Sequence, residues 1–445
     1  MKNIFILTLT LLALSVKAQD SPKSYSFTLQ QAIDHALENN YSAINSGRDI
    51  EAAREKKWET TAMGLPQINA GVDFTNNFVL QKSVIPAEFA GGKPGDYIEV
   101  AFGTKYNMVA HSTLSQLIFD GSYIVALQAS KTYLAYYENA KRRSDIDIKE
   151  MVINSYGNVL LAQENIAILE KNIASLQKTL NDTKAIYKNG LIEEESVEQL
   201  EITLASLEST LNYNKRLLDI TYKMLKINLG IDINDQITLT DKLDILTIQN
   251  MDLSFSNTEF DVNSNINYRI ATNFEEQRTL EYKLQRSKAL PSLEAKVNFG
   301  YTAFKDEFDF FSQNQNWFNY SNIGLGLNVP IFSSLARSSR TQQAKIALDQ
   351  AKTVLSETEQ KLKLQYATAK SEYEYSIADY ETAKSNLNLA ERIEKKQQIK
   401  FTEGLSTSFD FNDAQRQLYS AQQKYLQTMV NIINKKASLE KITTK

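Results

Sequence analysis

The sequence has no cysteine and only two histidines, His35 and His111, among its 445 residues. Without cysteine there are no disulfides, no thiolate metal sites, no cysteine nucleophile and no lipid anchor on an N-terminal cysteine. Two histidines leave almost nothing for a histidine-based zinc or iron centre. Metalloenzyme and cysteine-protease chemistry are excluded. Glycine (15) and proline (6) are also scarce, together under about 5% where roughly 12% is usual. A chain this poor in turn formers is built from few, long elements. Acidic and basic residues nearly balance, 53 against 49, so no basic footprint for nucleic acid is present. No nucleophile elbow or phosphate-cradling glycine loop occurs, and neither helix turn offers a histidine beside a carboxylate. The chain does not read as an enzyme, and no cofactor or metal is expected.

Tyrosine (22) and phenylalanine (20), by contrast, are plentiful. Lys2 is followed by an apolar or hydroxylic run from Ile4 to Val16, then Val16-Lys17-Ala18 before Gln19. That is the charged start, short apolar middle and small-residue end of a secretory signal, assigned to residues 1–18. The run is too short to span a bilayer, which takes about 20 residues, and no other segment approaches that length. Export without cysteine points to a Gram-negative periplasm or outer membrane. A buried N-terminal helix is the other reading, but nothing amphipathic appears in the stretch.

The rest of the chain is written twice. Leu65-Pro66 recurs as Leu290-Pro291, Ile118-Phe119 as Ile331-Phe332, and Tyr187-Lys188-Asn189-Gly190-Leu191 as Phe401-Thr402-Glu403-Gly404-Leu405. The offsets of 225, 213 and 214 leave room for one insertion of about a dozen residues. Residues 19–230 read as a helix, strands at about 66–80 and 105–119, a long helix 121–189 and a helix 192–230. Residues 264–445 repeat the plan with strands at about 291–304 and 320–332, a long helix 336–403 and a helix 408–441. The segment 231–263, rich in Asp, Asn, Thr and Ser and without periodicity, joins them. Two structural repeats of this size imply pseudo-symmetry in the assembly.

A helix from Gly121 to Asn189 would run roughly 100 Å at 1.5 Å per residue. Such a helix needs partners alongside it, since an isolated one gains too little to stay ordered. Near the turn at Gly190, Ile166, Leu169, Ile173, Leu176, Leu180, Thr183 and Tyr187 step 3-4-3-4. The returning helix answers with Val197, Leu200, Leu204, Leu207, Leu211, Asn214, Leu218, Thr221 and Leu225. This heptad seam predicts a left-handed antiparallel pair. In the second long helix Ala344, Ala347, Ala351, Leu355, Thr358, Leu362, Tyr366, Ala369, Tyr373, Ile377 and Tyr380 step 3-4-4. That spacing, about 3.67 residues per turn, predicts nearly straight helices. From the helices alone, the wall of a cylinder and a plain coiled-coil rod are both open.

The strands separate the two. Ile68, Ala70, Val72 and Phe74 alternate with polar neighbours; so do Leu293, Ala295, Val297, Phe299 and Tyr301, and then Ile323, Leu325, Leu327, Val329 and Ile331. Fourteen residues at about 3.3 Å each, tilted by about 40°, are long enough for an outer-membrane apolar band of about 25 Å. Aromatics cluster at the strand ends, as an interfacial girdle would: Phe74, Phe78, Tyr301, Phe304, Phe308, Phe310, Phe311, Trp317, Phe318 and Tyr320. A soluble sandwich also explains the alternation, but not strands placed at the opposite end of the helices from the turns. Four strands cannot close in lipid, where closure takes about eight or more. The chain must therefore oligomerise.

In the order and spacing of these motifs the whole chain after the signal resembles the TolC-like outer-membrane factors of efflux and type I secretion systems. The resemblance implies a mostly α fold with membrane β: a trimeric 12-stranded outer-membrane β-barrel, four strands per protomer, continuous with a long periplasmic α-helical barrel. It implies a homotrimer that docks by its tip to a periplasmic adaptor and an inner-membrane pump of RND, ABC or MFS type. Segment 231–263 and the chain ends would form an equatorial belt.

The family constricts its periplasmic entrance with aspartates on the helix after the second turn, positions held here by Asp410 and Asp413. Six such carboxylates around a trimer axis would favour cations and raise some carboxylate pKa values. An acidic first turn that complements the helix dipole is the other reading of the same residues. A further lock pairs an Arg with an Asp in many members; those positions are Ser406 and Ser196, and two hydroxyls form no salt bridge. Phe401 stands where a gating tyrosine often sits. Glu193, Glu194, Glu195 and Glu198 read either as a site for basic groups on an adaptor or as a solvated helix start. The turns carrying Tyr187, Gly190, Leu191, Gly404 and Leu405 are the expected adaptor contact. A periplasmic coiled-coil tether or adaptor without a pore is the alternative, since it would share the signal and the heptads.

Overall fold

A computed structural model describes residues 23–252, 260–313 and 315–444. The expected signal at 1–18 and part of the segment joining the repeats lie outside the described residues. In chain order come β1 (Ser24–Phe27), α1 (Leu29–Asn39), α2 (Tyr41–Ala62), β2 (Gln67–Asn76), β3 (Lys82–Pro86), β4 (Tyr97–Ala101) and β5 (Tyr106–Asp120). The long α3 (Gly121–Lys188) and α4 (Glu194–Leu229) follow, then β6 (Gln236–Leu239), α5 (Leu243–Gln249) and α6 (Ile266–Ser287). The chain closes with β7 (Ser292–Lys305), β8 (Phe318–Asn328), α7 (Ala336–Thr402) and α8 (Ser408–Thr443). It divides into two compact units, one of residues up to Asp49, Glu138–Ala271 and from Ser356 on, the other of Ile50–Tyr137 and Thr272–Leu355.

The first unit is helical. Its smaller core is the heptad seam: Leu169, Leu176 and Leu180 of α3 meet Val197, Leu200, Leu204 and Leu207 of α4, joined by Phe401 and Phe411. The 3-4 spacing keeps one stripe of each helix facing its partner, so these side chains leave water together. The larger core gathers Ile148, Val152, Tyr156, Val159 and Leu160 with Leu225, Leu229, Tyr373, Tyr380 and a row on α8 from Leu426 to Leu439. Two tyrosines tie the segment joining the repeats to the helices. The Tyr156 hydroxyl bonds the Phe27 carbonyl and the Asp241 carboxylate, each at 3.0 Å, while Asp241 also accepts from the Leu29 amide at 2.6 Å. The Tyr373 hydroxyl donates to the Asn250 carbonyl at 2.6 Å and accepts from the Asp252 amide at 2.9 Å. A region without sequence periodicity is thus held by β1 and β6, which pair in parallel, and by the short α5.

The second unit is built on an antiparallel sheet of order β2-β5-β7-β8. Its registers place Ile68, Leu114, Val297 and Ile323 side by side on one face, and Asn69, Thr113, Asn298 and Asn322 side by side on the other. The polar row is hydrogen-bonded: the Thr113 hydroxyl donates to Asn298 Oδ1 at 2.8 Å, and Asn298 Nδ2 donates to Asn322 Oδ1 at 2.9 Å. The apolar face is uncovered. Ile68 is 74% exposed and Ile323 75%, with Val72, Leu325 and Leu327 close behind. Among the described residues the face is covered at one end, where Phe310 is buried with Met108 and Ala303 and meets Phe74 edge-on. The extra residues of the first repeat form a separate hairpin, β3 with β4, whose short strands carry no strong alternation.

Candidate functional site at the paired helix turns

The helical unit holds both turns that the repeat singles out. Each long helix ends in the same way. The Gly190 amide bonds the Tyr187 carbonyl at 2.8 Å and the Leu191 amide bonds the Ile186 carbonyl at 3.3 Å; at the second turn Gly404 bonds Phe401 at 3.1 Å and Leu405 bonds Lys400 at 2.7 Å. Gly190 and Gly404 have φ of 69° and 71°, the left-handed conformation that this double-bonded helix ending requires and that glycine adopts without cost. The residue after each glycine points outward: Leu191 is 78% exposed and Leu405 77%.

The helices that leave the turns start differently. Thr407 caps α8 reciprocally: its hydroxyl oxygen accepts from the Asp410 amide at 3.1 Å, and the Asp410 carboxylate accepts from the Thr407 hydroxyl at 2.8 Å and the Thr407 amide at 3.4 Å. Those bonds, with help from Ser406 and Lys400, hold the Asp410 carboxyl below the usual carboxylate range. Within one chain its shift is thus opposite to the rise expected from six clustered carboxylates. At the start of α4, Glu193 occupies the capping position with no side-chain bond. Asp413 is bound by Arg416 at 3.1 Å and Gln417 at 2.7 Å.

Beneath the turns the core is aromatic. Phe401 stacks on Phe411 with ring centroids 5.3 Å apart and planes 8° from parallel, and both are buried. The Phe401 ring thus faces inward, onto a residue that the repeat pattern did not mark. Nearby, burial pushes the Tyr419 hydroxyl well above its ordinary value, aided by the Glu394 carboxylate, which burial itself raises. The two turns share an open cleft of about 870 Å³ whose walls include Leu191, Ser196, Phe401, Ser406 and Phe409. Ser196 and Ser406 are therefore brought to one cleft, where neither offers a charge for a salt bridge and the charged lining is Glu193, Glu195 and Glu403. The Ser406 hydroxyl lies 3.1 Å from Gln397 Oε1 and 3.3 Å from the Asp410 carboxylate. The sequence reading missed Phe411, Phe409 and the Thr407 cap. The pattern Thr407-x-x-Asp410 ahead of apolar residues at helical spacing, Phe411, Ala414 and Leu418, was the signal available for the last.

The comparisons agree with this architecture. Residues 274–444 match the family described as outer membrane efflux protein. The fold is similar to that of the outer membrane protein VceC from Vibrio cholerae, with TM-score 0.71 and 16% identity over 93% of this chain and 95% of that one. It is similar also to the Campylobacter jejuni CmeC outer membrane channel (0.72, 17%, 93% and 85%) and to the open Neisseria gonorrhoeae MtrE outer membrane channel (0.71, 15%, 93% and 88%). No curated protein matches the chain by sequence. The fold is that of outer-membrane channels, with helices and a small β domain in one chain. The family match is confined to residues 274–444, and over the rest of the chain the likeness to these channels is one of fold, in line with the resemblance to TolC-like outer-membrane factors.

Proposed function

We propose that this protein is the outer-membrane exit duct of a tripartite efflux or type I secretion system. It passes substrates from an inner-membrane pump and a periplasmic adaptor across the outer membrane of a Gram-negative bacterium. The observation that carries this reading is the sheet β2-β5-β7-β8, which among the described residues leaves both edges unpaired and its apolar face open. Such a surface is unstable in water, since exposed apolar area costs roughly 25 cal/mol per Å². Such edges are unstable in lipid, where each unpaired backbone group costs several kcal/mol. A barrel closed by further copies removes both costs at once. No helix among the described residues is long and apolar enough to cross a membrane, which leaves the sheet as the spanning element.

Three copies supply twelve strands, and the polar face then lines the lumen. The helices extend into the periplasm as a tunnel, and the paired turns form its tip. Leu191 and Phe409 on the walls of an open cleft, with the exposed Leu405 and Tyr187 on the same two turns, offer an apolar docking surface for an adaptor hairpin. Asp410 and Asp413 carry the entrance charge. With a serine at both lock positions, the tip is held by packing such as the Phe401–Phe411 stack and by the Ser406–Gln397–Asp410 bonds.

The alternative, a periplasmic coiled-coil tether, shares the helices but gives no role to the uncovered face. Membrane fractionation together with planar-bilayer recording separates the two. The duct extracts only with detergent from the outer membrane and conducts; a tether is soluble without detergent and electrically silent.

A further inference from the structure

The sheet ends on one side in a polar chain that stops short. Thr113 donates to Asn298 and Asn298 to Asn322, and Asn322 stands on the edge strand β8 with its Nδ2 unpartnered among the described residues. The opposite edge, β2, presents Asn69 in the same row, and four residues further on Asp73, whose carboxylate lies 3.4 Å from His111 Nδ1. Resting on the trimeric barrel proposed above, we infer that the two edges meet between copies in one register: Asn322 of one copy opposite Asp73 of the next. Residues 67–76 then lie against 328–319 of the neighbour.

Barrel geometry restricts the choices. A row that returned to its own level, with Asn322 opposite Asn69, would have no shear, and no barrel closes without it. Three-fold symmetry divides the shear into three equal steps, each of which must be even, because a one-residue slip turns every side chain to the wrong face. Steps of two, four, six and eight residues in a twelve-stranded barrel give tilts of about 19°, 35°, 46° and 54° for a rise of about 3.3 Å and a spacing of about 4.8 Å. Outer-membrane barrels tilt by about 35–45°, so a step of four or six remains. Either step taken from Asn69 toward the start of β2 leaves the strand, which begins at Gln67. Asn322 therefore meets Asp73 or Thr75.

Two observations choose Asp73. With a step of four, every residue of β2 lies opposite a residue of β8, Gln67 facing Asn328 and Asn76 facing Asn319. With a step of six, Gln67 runs past the end of β8 and faces Pro330, which has no amide hydrogen for a ladder. The step of four also sets a free amide donor on Asn322 against a carboxylate, so the lumen-wall chain passes from one copy into the Asp73–His111 pair of the next. On the lipid face it pairs Val72 with Ile323 and Ile68 with Leu327, cross-strand apolar neighbours of the kind that hold sheets together.

The absence of cysteine makes the test direct. Three double variants are made in the full chain: Asp73→Cys with Asn322→Cys, Thr75→Cys with Asn322→Cys, and Asn69→Cys with Asn322→Cys. Within one chain β2 and β8 are three strand spacings apart, about 14 Å, beyond disulfide reach, so a bond can form only between copies. Oxidised outer membranes are run on non-reducing gels. The Asp73/Asn322 variant is expected to give covalent trimer, on the order of tenfold more than either other variant, because only directly opposed residues meet disulfide geometry. Val72→Cys with Ile323→Cys should behave as Asp73/Asn322 does. Preferential bonding by Thr75/Asn322 or Asn69/Asn322 overturns the register. So does the absence of bonding in all variants while they still form conducting pores. Loss of pores and oligomers in the unmodified protein instead overturns the barrel reading on which the register rests.

Discussion

Phe401, the last aromatic of α7, lies flat against Phe411 in the first turns of α8, their ring planes 8° apart. The stack sits directly under the turn at Gly404 and joins the seam of α3 and α4, so the two hairpins share one core at this end. Phe411 is fully buried. Phe411→Ala is therefore expected to cost about 3–5 kcal/mol, the usual range for a buried aromatic truncated to alanine. Denaturant unfolding followed at the tip measures it; a cost under about 1 kcal/mol would contradict the packing described.

The glycines of the turns are conformational rather than packed. A Cβ at Gly190 or Gly404 would meet nothing within 4 Å, yet both positions have positive φ. A β-branched residue there is strained by roughly 1–3 kcal/mol, whereas asparagine tolerates the conformation. Gly190→Val and Gly404→Val are expected to leave trimers in the outer membrane but abolish export; Gly190→Asn and Gly404→Asn should retain it. Unaltered transport in the valine variants would count against docking at these turns.

The carboxylates past the second turn carry a charge prediction. The Thr407 bonds depress the Asp410 pKa, which means that the native state favours the ionised form. The contribution of this cap to stability is fully present above the ordinary carboxylate range and is lost as pH falls through the lowered native value. Thr407→Val should move the Asp410 titration upward, as read by carboxyl-carbon NMR. The double variant Asp410→Asn, Asp413→Asn should lower cation selectivity in planar bilayers, and unchanged selectivity would remove these residues from the entrance.

A fourth prediction concerns the helical core. Tyr156→Phe removes a hydroxyl that bridges the Phe27 carbonyl and Asp241 from a fully buried site. Asp241 keeps the Leu29 amide and the Phe27 carbonyl keeps the Thr240 amide, so the loss is that of the hydroxyl's own bonds, about 1 kcal/mol. A lower thermal midpoint, with secondary structure unchanged at the starting temperature, is the expected result. No shift would show that the bridge is dispensable.

What was legible in the sequence follows the periodicities. Leu169, Leu176, Val197, Leu200 and Leu204, read as a seam, are buried together, because helical spacing alone determines which side chains share a face. The alternation at Ile68–Phe74 and Ile323–Leu327 marked an apolar face correctly, and the register then placed those residues side by side. Where the reading failed, the structure depends on distant partners. The β1 strand pairs with β6 more than two hundred residues away, over four residues each, and no local pattern announces such a pairing. The β3–β4 hairpin is five residues a side, too short for alternation to show. At the tip, Phe401 matched the aromatic of the repeated turn, but its burial depends on Phe411, which lies outside that motif.

In the proposed duct one molecule provides four strands of a lipid-embedded pore and identical copies provide the remaining strands. Recording from purified protein in planar bilayers, with its mass determined in the same detergent, tests this most directly. Discrete, uniform conductance steps from a particle of three chains are the expected result. A folded single chain, stable in buffer without detergent and silent in the bilayer, would contradict it.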